Sequence, residues 1–209
     1  GGAGYSSWSA IPYFIASYSP CVTFEGDNTL MSQQSFNFLQ KMAKRGMIGK
    51  DAGKIDTLLS YLNNLSKPQE TRKCSASKPE DFMSITLIEE ALQVSLLHKI
   101  RYIMQRKNES SSSKKDFQNS ICAIDIVRAC EDNIRYISFQ LFHRRIKGTQ
   151  VKCPNNRRNM KLLCMLYGLN QLYKDCTSCY EAGYFVNGKY QVWILEAIKA
   201  INRELRPQI

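Results

Sequence analysis

Long rows of apolar residues at three- and four-residue intervals constrain this chain more than any other feature. Leu87, Ala91, Leu92, Ser95, Leu96 and Ile100 form one row, which continues unbroken to about Met104. Ile121, Ile124, Val127, Cys130, Ile134, Ile137, Leu141 and Phe142 form a second, with Arg128, Asp132 and Arg135 largely off it. Leu162, Leu163, Met165, Leu166, Leu169 and Leu172 make a third, and Val192, Trp193, Leu195, Ile198 and Ile201 a last one. Residues so spaced share one face of a 3.6-residue helix, and that face must pack on another like it. Alternation, the mark of a half-buried strand, is confined to Tyr184–Val186, and no internal repeat stands out. The expected fold class is all-α, a helical bundle.

The punctuation between the rows divides the chain further. The first 22 residues are rich in Gly, Ser, Pro and aromatics, and Gly1, Gly2, Ala3 and Gly4 read as loop or tight turn. Asp27 and Asn28 can cap a helix that runs from Thr29 to Gly46, four to five turns. Gly46, Gly49 and Gly53 loosen the chain before a short amphipathic helix through Ile55, Leu58, Leu59, Leu62 and Leu65, which Pro68 ends. The polar stretch 67–79 reads as a linker or long loop. Pro79, Glu80 and Asp81 supply the first turn of the long helix that follows, and Ser110–Lys115 break it.

With 209 residues, 44% of them hydrophobic and 22% charged, the chain can bury a core and is no disordered tail. It opens without an initiating Met, a basic stretch backed by an apolar run, or a long uncharged apolar segment. A soluble fragment, neither secreted nor membrane-spanning, is expected. Eight scattered cysteines do not resemble the dense framework of a small secreted scaffold, so reduced thiols in an intracellular compartment are expected. The formal charge of +11 favours polyanionic partners without choosing among nucleic acid, anionic membrane and CoA phosphates.

The segment Thr23, Phe24, Glu25, Gly26, Asp27, Asn28, Thr29 is the most informative for chemistry. A carboxylate followed by glycine at a helix start lets a ligand approach the backbone, where free N–H groups favour anionic or polar groups. The Phe24 flank would partly desolvate Glu25 and raise its basicity. The plainer reading is an acidic residue interacting with the helix dipole.

Gly1, Gly2, Ala3, Gly4 and Tyr5, followed by Phe24, Glu25, Gly26, Asp27, Asn28 and Thr29, resemble the acyl-CoA oxidase and dehydrogenase superfamily in residues and spacing. Leu58–Leu65, Ile124–Cys130 and Leu162–Leu169 resemble successive helical segments of peroxisomal acyl-CoA oxidases in the same order, so the resemblance covers nearly the whole chain. It is closer to the oxidases than to mitochondrial dehydrogenases, whose sequence after Glu-Gly usually begins Thr-Ser.

The resemblance implies the carboxyl-terminal helical part of a peroxisomal, FAD-dependent homodimer. Such an enzyme desaturates a fatty acyl-CoA to the trans-2-enoyl-CoA in fatty acid β-oxidation and passes the electrons to molecular oxygen as hydrogen peroxide. It makes Glu25 the catalytic base that removes the α-proton while the β-hydride leaves for flavin N5. A backbone N–H at the glutamate and a flavin ribityl hydroxyl would stabilise the enolate-like oxygen. It places Gly26 beside the acyl thioester, makes Phe24 a further substrate-binding residue, and sets Asp27, Asn28 and Thr29 near the flavin. Gly1 and Gly2 would contact the adenylate end across a dimer interface. It divides the chain into 1–66, the end of the catalytic helical domain, a linker over 67–79, and a carboxyl-terminal helical domain over 80–209.

The chain departs from the family pattern in three ways. Ala3 stands where these oxidases usually carry His. The family's amino-terminal helices and central β-domain are not in this sequence, so the chain alone is expected not to bind flavin productively. Arg206, Pro207, Gln208 and Ile209 are not a Ser-Lys-Leu type address.

Other signals are weaker. Cys176 and Cys179 form a lone Cys-x-x-Cys with too few neighbouring ligands for zinc, and no metal is expected. His98 and His143 read as surface or packing histidines, and Tyr102, Tyr136, Phe139 and Tyr167 as core. The runs His143–Lys147 and Arg157, Arg158 could meet phosphate but more often form solvated helix ends. No nucleic-acid module is present. The competing reading is a non-catalytic helical interaction or dimerisation module. A basic bundle on nucleic acid or membrane rests only on the net charge.

Overall fold

The structure, a computed structural model, describes residues 2–24, 26–48, 58–66, 72–149 and 153–206. Its helices, in chain order, are α1 (Gly2–Tyr5), α2 (Ile11–Tyr18), α3 (Asn28–Ile48), α4 (Ile85–Glu109), α5 (Lys114–Asp116), α6 (Ala123–Gly148), α7 (Pro154–Lys174), α8 (Thr177–Glu181) and α9 (Tyr190–Leu205). The described residues contain no strand. The fold is all-α, as the apolar rows predict.

The amino-terminal stretch holds more helix than its composition suggests. Gly2–Tyr5 make a single helical turn closed by the Ser6 N–H to Gly2 O at 3.2 Å, and Ile11–Tyr18 form a helix with Pro in its first turn. Proline there gives up only an N–H that lacks a partner anyway. The helix predicted to stop at Gly46 runs through it to Ile48, 21 residues or about six turns. One helical glycine costs about 1 kcal/mol, too little to end a helix anchored by buried Phe36, Leu39, Met42 and Ala43.

The long helix predicted to open at Pro79 opens later. Pro79–Phe82 form a separate 3-10 turn, because the Asp81 carboxylate folds back onto the N–H groups of Ser77 (2.7 Å) and Lys78 (3.1 Å). Ser84 then caps α4, its hydroxyl accepting from the Leu87 N–H at 3.4 Å. Ile55 lies outside the described residues, Leu58 and Leu59 lie in a turn, and the helix is replaced by a 3-10 segment, Ser60–Ser66, that buries Tyr61, Leu62 and Leu65. The described part of the polar stretch is tied to the core: Cys74 and Ala76 are buried, and the Cys74 N–H donates to Tyr184 O at 2.9 Å. Tyr184 and Phe185 turn back onto Cys179 O instead of forming a strand.

α4 sits at the centre, packed on α6, α7 and α8; α3 lies against α6 and the Ser60–Ser66 turn, and α9 against α7 and the Pro79–Phe82 turn. Ile88, Leu96, Ile100, Phe139, Leu169 and Ile194 are wholly enclosed. One predicted row is rotated. α6 buries Ile126, Ala129, Cys130, Tyr136 and Phe139, while Ile124, Ile134 and Leu141 are 69%, 60% and 48% exposed. In the third row Leu163 likewise faces out. No described helix is long and apolar enough to cross a membrane.

Candidate active site

The turn leading into α3 is built residue by residue from local hydrogen bonds. Pro20 O accepts from the N–H groups of Thr23 (3.2 Å) and Phe24 (3.1 Å), and Thr23 O accepts from Gly26 N–H at 3.1 Å. Gly26 adopts φ +115°, where a side chain is strained, although a Cβ there would meet nothing nearer than Leu30 Cδ2 at 3.7 Å. The backbone conformation, not space, therefore demands glycine. Asp27 caps α3: its Oδ1 accepts from Thr29 N–H at 2.8 Å and Leu30 N–H at 3.0 Å.

Phe24, Gly26, Asp27, Asn28 and Thr29 thus share one turn and the first helical turn after it, whereas Glu25 and Gly1 lie outside the described residues. Gly2 lies in α1, facing open space, with no atom within 4 Å of a Cβ placed there. α1 packs on α2 and α2 on the Ser19–Val22 turn, so local contacts connect Gly2 to this region. Phe24 is 66% exposed and is not part of the chain's core. Trp8 is 99% exposed, and Tyr5, Tyr13, Phe14 and Tyr18 are exposed too. Exposed aromatic side chains thus gather along residues 5–24.

Elsewhere the structure assembles polar groups that the spacing of the sequence does not reveal. Lys99 Nζ bonds Asp132 and, at 2.7 Å, Asp175, joining α4, α6 and the end of α7. These residues are 33 and 76 positions apart, too far for any local pattern. Around them His98, Tyr102, Arg128 and Glu181 line a cavity of about 400 Å³. His98 Nε2 is 3.4 Å from Glu181 Oε2; burial lowers the imidazole pKa, against the pull of that carboxylate. Tyr136 Oη accepts from Gln93 (3.1 Å) and Gln140 (2.9 Å), and burial first, then Glu89, pushes its pKa up to about 12. Tyr136 and Phe139 fill core as read, whereas Tyr102 is 41% exposed.

The cysteine pair is packed. Cys179 Sγ donates to Ala91 O at 3.4 Å, and burial raises its pKa, as it raises Cys164 to about 11 and Cys130 to about 12. Such thiols are neutral and poor nucleophiles at neutral pH. Among the described residues no group of three or more His, Cys, Asp or Glu is placed to hold a metal ion.

Two family models match the chain: acyl-CoA oxidase over residues 82–209, and the acyl-CoA oxidase C-alpha1 domain over residues 1–40. The first spans more than half of the sequence. The chain belongs to the acyl-CoA oxidase family. The rat peroxisomal acyl-coenzyme A oxidase 1 is 32% identical over 176 residues, covering 82% of this chain and 26% of the relative. The chain therefore spans about a quarter of the length of the curated relatives it matches. Among solved structures, Arabidopsis thaliana acyl-CoA oxidase 1 superposes with a TM-score of 0.81 at 21% identity, covering 100% of this chain and 30% of that one. Caenorhabditis elegans acyl-CoA oxidase-1, complexed with FAD and ATP, superposes with a TM-score of 0.75 at 20% identity, covering 99% of this chain and 30% of that one. At those identities the likeness is one of fold.

Within an acyl-CoA oxidase the turn before α3 falls inside the stretch matched by the C-alpha1 model, which ends at residue 40, ahead of the second matched region. The Lys99 cluster falls in the second region and has no counterpart among the residues that the resemblance assigns.

Proposed function

We propose that the full-length protein is a peroxisomal, FAD-dependent acyl-CoA oxidase that converts fatty acyl-CoA to trans-2-enoyl-CoA with release of hydrogen peroxide, and that Glu25 is its base. Family membership carries this reading; the Glu25-Gly26 step entering α3, with the φ of +115° that favours glycine at residue 26, is consistent with it. The residues present fit part of a flavin site: a backbone without Cβ at Gly26, polar groups at the N-terminus of α3, and open space around Gly2. The C. elegans relative was solved with FAD.

FAD would supply the hydride acceptor and return the electrons to oxygen. The chain's own part is proton transfer and alignment. Glu25 takes the proton from the acyl α-carbon, Phe24 and Gly26 border the thioester, and the Glu25 N–H donates to the thioester oxygen as it gains charge. Asp27, with one carboxylate oxygen fixing the first turn of α3, holds that backbone in place, and Asn28 and Thr29 line the flavin side. Gly1 and Gly2 approach the adenylate end across a homodimer interface; the exposed aromatics of 5–24 support a covered surface there. In this reading 1–66 closes the catalytic domain, 67–79 links, and 80–209 forms the carboxyl-terminal domain.

The test uses the full-length protein: its flavin spectrum, and peroxide release with a long-chain acyl-CoA, for wild type and Glu25→Gln. Bound flavin in both and a loss of at least about 10³-fold in turnover in the variant are expected. Full activity in Glu25→Gln removes Glu25 from the role. Folded protein with neither flavin nor turnover leaves a non-catalytic helical module.

A further inference from the structure

We infer that the cleft between the end of α6 and the first half of α7 binds a single-chain amphipathic anion, of the fatty carboxylate class, at a place separate from the candidate active site. The cleft measures about 470 Å³, within the roughly 300–1,000 Å³ of small-molecule sites. Its floor is apolar: Ile146 and Met165 are buried, and Met83 and Ile85 pack partly buried beside them. Its rim carries the cations Lys147, Arg157 and Lys161 with the imidazole of His143 beside them, and no carboxylate lines it.

The neighbouring Arg158 pairs with Glu204, whereas Lys147, Arg157 and Lys161 have no carboxylate within 4 Å among the described residues. The charges converge: burial first, then Lys147, and more weakly Lys161, depress the His143 pKa, while Glu89 opposes them. Glu89 is itself engaged by Gln140 at 3.2 Å. Cations of one sign over an apolar floor, with no carboxylate partner among the described residues, favour a ligand with an anionic head and a hydrocarbon body. A bare phosphate would leave the floor uncovered, and a neutral hydrocarbon would leave the rim unneutralised.

The experiment is calorimetric titration of the full-length protein with decanoate, decanol and inorganic phosphate. The wild type is compared with Lys147→Gln/Arg157→Gln/Lys161→Gln, all three exposed positions, and with Glu25→Gln. Decanoate binding that weakens at least about tenfold in the triple variant, persists in Glu25→Gln, and exceeds decanol and phosphate binding by a similar factor supports the site. Undiminished decanoate binding in the triple variant places the ligand elsewhere and overturns it. Equal binding of decanol makes the rim irrelevant, and equal binding of phosphate makes the floor irrelevant; either result overturns it. Sedimentation with anionic vesicles that the triple variant abolishes, without decanoate binding, assigns the cleft to a membrane surface instead.

Discussion

Replacing Gly168 by alanine adds one methyl group where α7 crosses α4 and α6. An alanine Cβ would lie 2.4 Å from Ile88 Cγ2 and 2.7 and 2.9 Å from Phe139 Cε2 and Cδ2, over 1 Å inside carbon–carbon contact at the nearest point. Ile88 is stiff at its branched β-carbon, Phe139 carries a rigid ring, and both are fully buried, so neither can swing away. Overpacking of this kind costs about 1–3 kcal/mol, and three simultaneous clashes put it at about 3. Alanine recovers about 1 kcal/mol of helix propensity. The net loss is about 2 kcal/mol, or a melting point lower by roughly 4–8 °C for a unit of this size. Thermal and urea unfolding of Gly168→Ala would measure it, and adding Phe139→Leu should return part of the loss through a non-additive term. An unchanged or raised midpoint for Gly168→Ala would refute the claim that glycine is there to let the three helices close.

Lys99→Met removes the cation shared by Asp132 and Asp175 and should destabilise by about 2 kcal/mol in denaturant titration, less than for a fully buried pair because Asp175 is 32% exposed and Asp132 keeps Arg135 at 2.9 Å. In the wild type, burial pulls the Lys99 pKa down, but the charges and hydrogen bonds of Asp132 and Asp175 together raise it above 10.5. A raised pKa in the folded state means the stabilisation is complete below about pH 10.5 and is lost as pH climbs through the folded value, so alkaline unfolding should show a component absent from Lys99→Met. Asp27→Ala removes the cap of α3 and should cost about 1 kcal/mol, read as faster amide exchange at Thr29 and Leu30. Timed alkylation with mass spectrometry should label exposed Cys21 and Cys153 long before Cys130, Cys164 and Cys179, and early labelling of Cys179 would contradict its burial.

The helices were legible in the sequence because an amphipathic row needs only local spacing to declare itself. The covered face was less legible. On α6 Ile124, Ile134 and Leu141 turn away from the buried face, because spacing marks apolar positions without saying which neighbour covers them. The start of α4 is displaced where a side chain offers the backbone another partner: Asp81 holds Pro79–Phe82 as a separate turn, and α4 begins at Ile85. The Lys99 cluster was illegible, since its carboxylates come from helices far along the chain and Asp132 reads as a solvent-side residue.

The candidate site divides along the same line. Its local mechanics follow from residue type: Asp27 is the cap that its position predicts, and Gly26 takes a conformation other residues avoid. Its chemistry does not, because a carboxylate before a capped helix is by itself an ordinary dipole partner, and the oxidase reading comes from resemblance to a family. Both readings of Asp27 can hold together. The two backbone N–H groups share Oδ1 alone, so neither commits Oδ2, and the residue that fixes the first turn of α3 can still offer an acceptor to whatever lies over that turn.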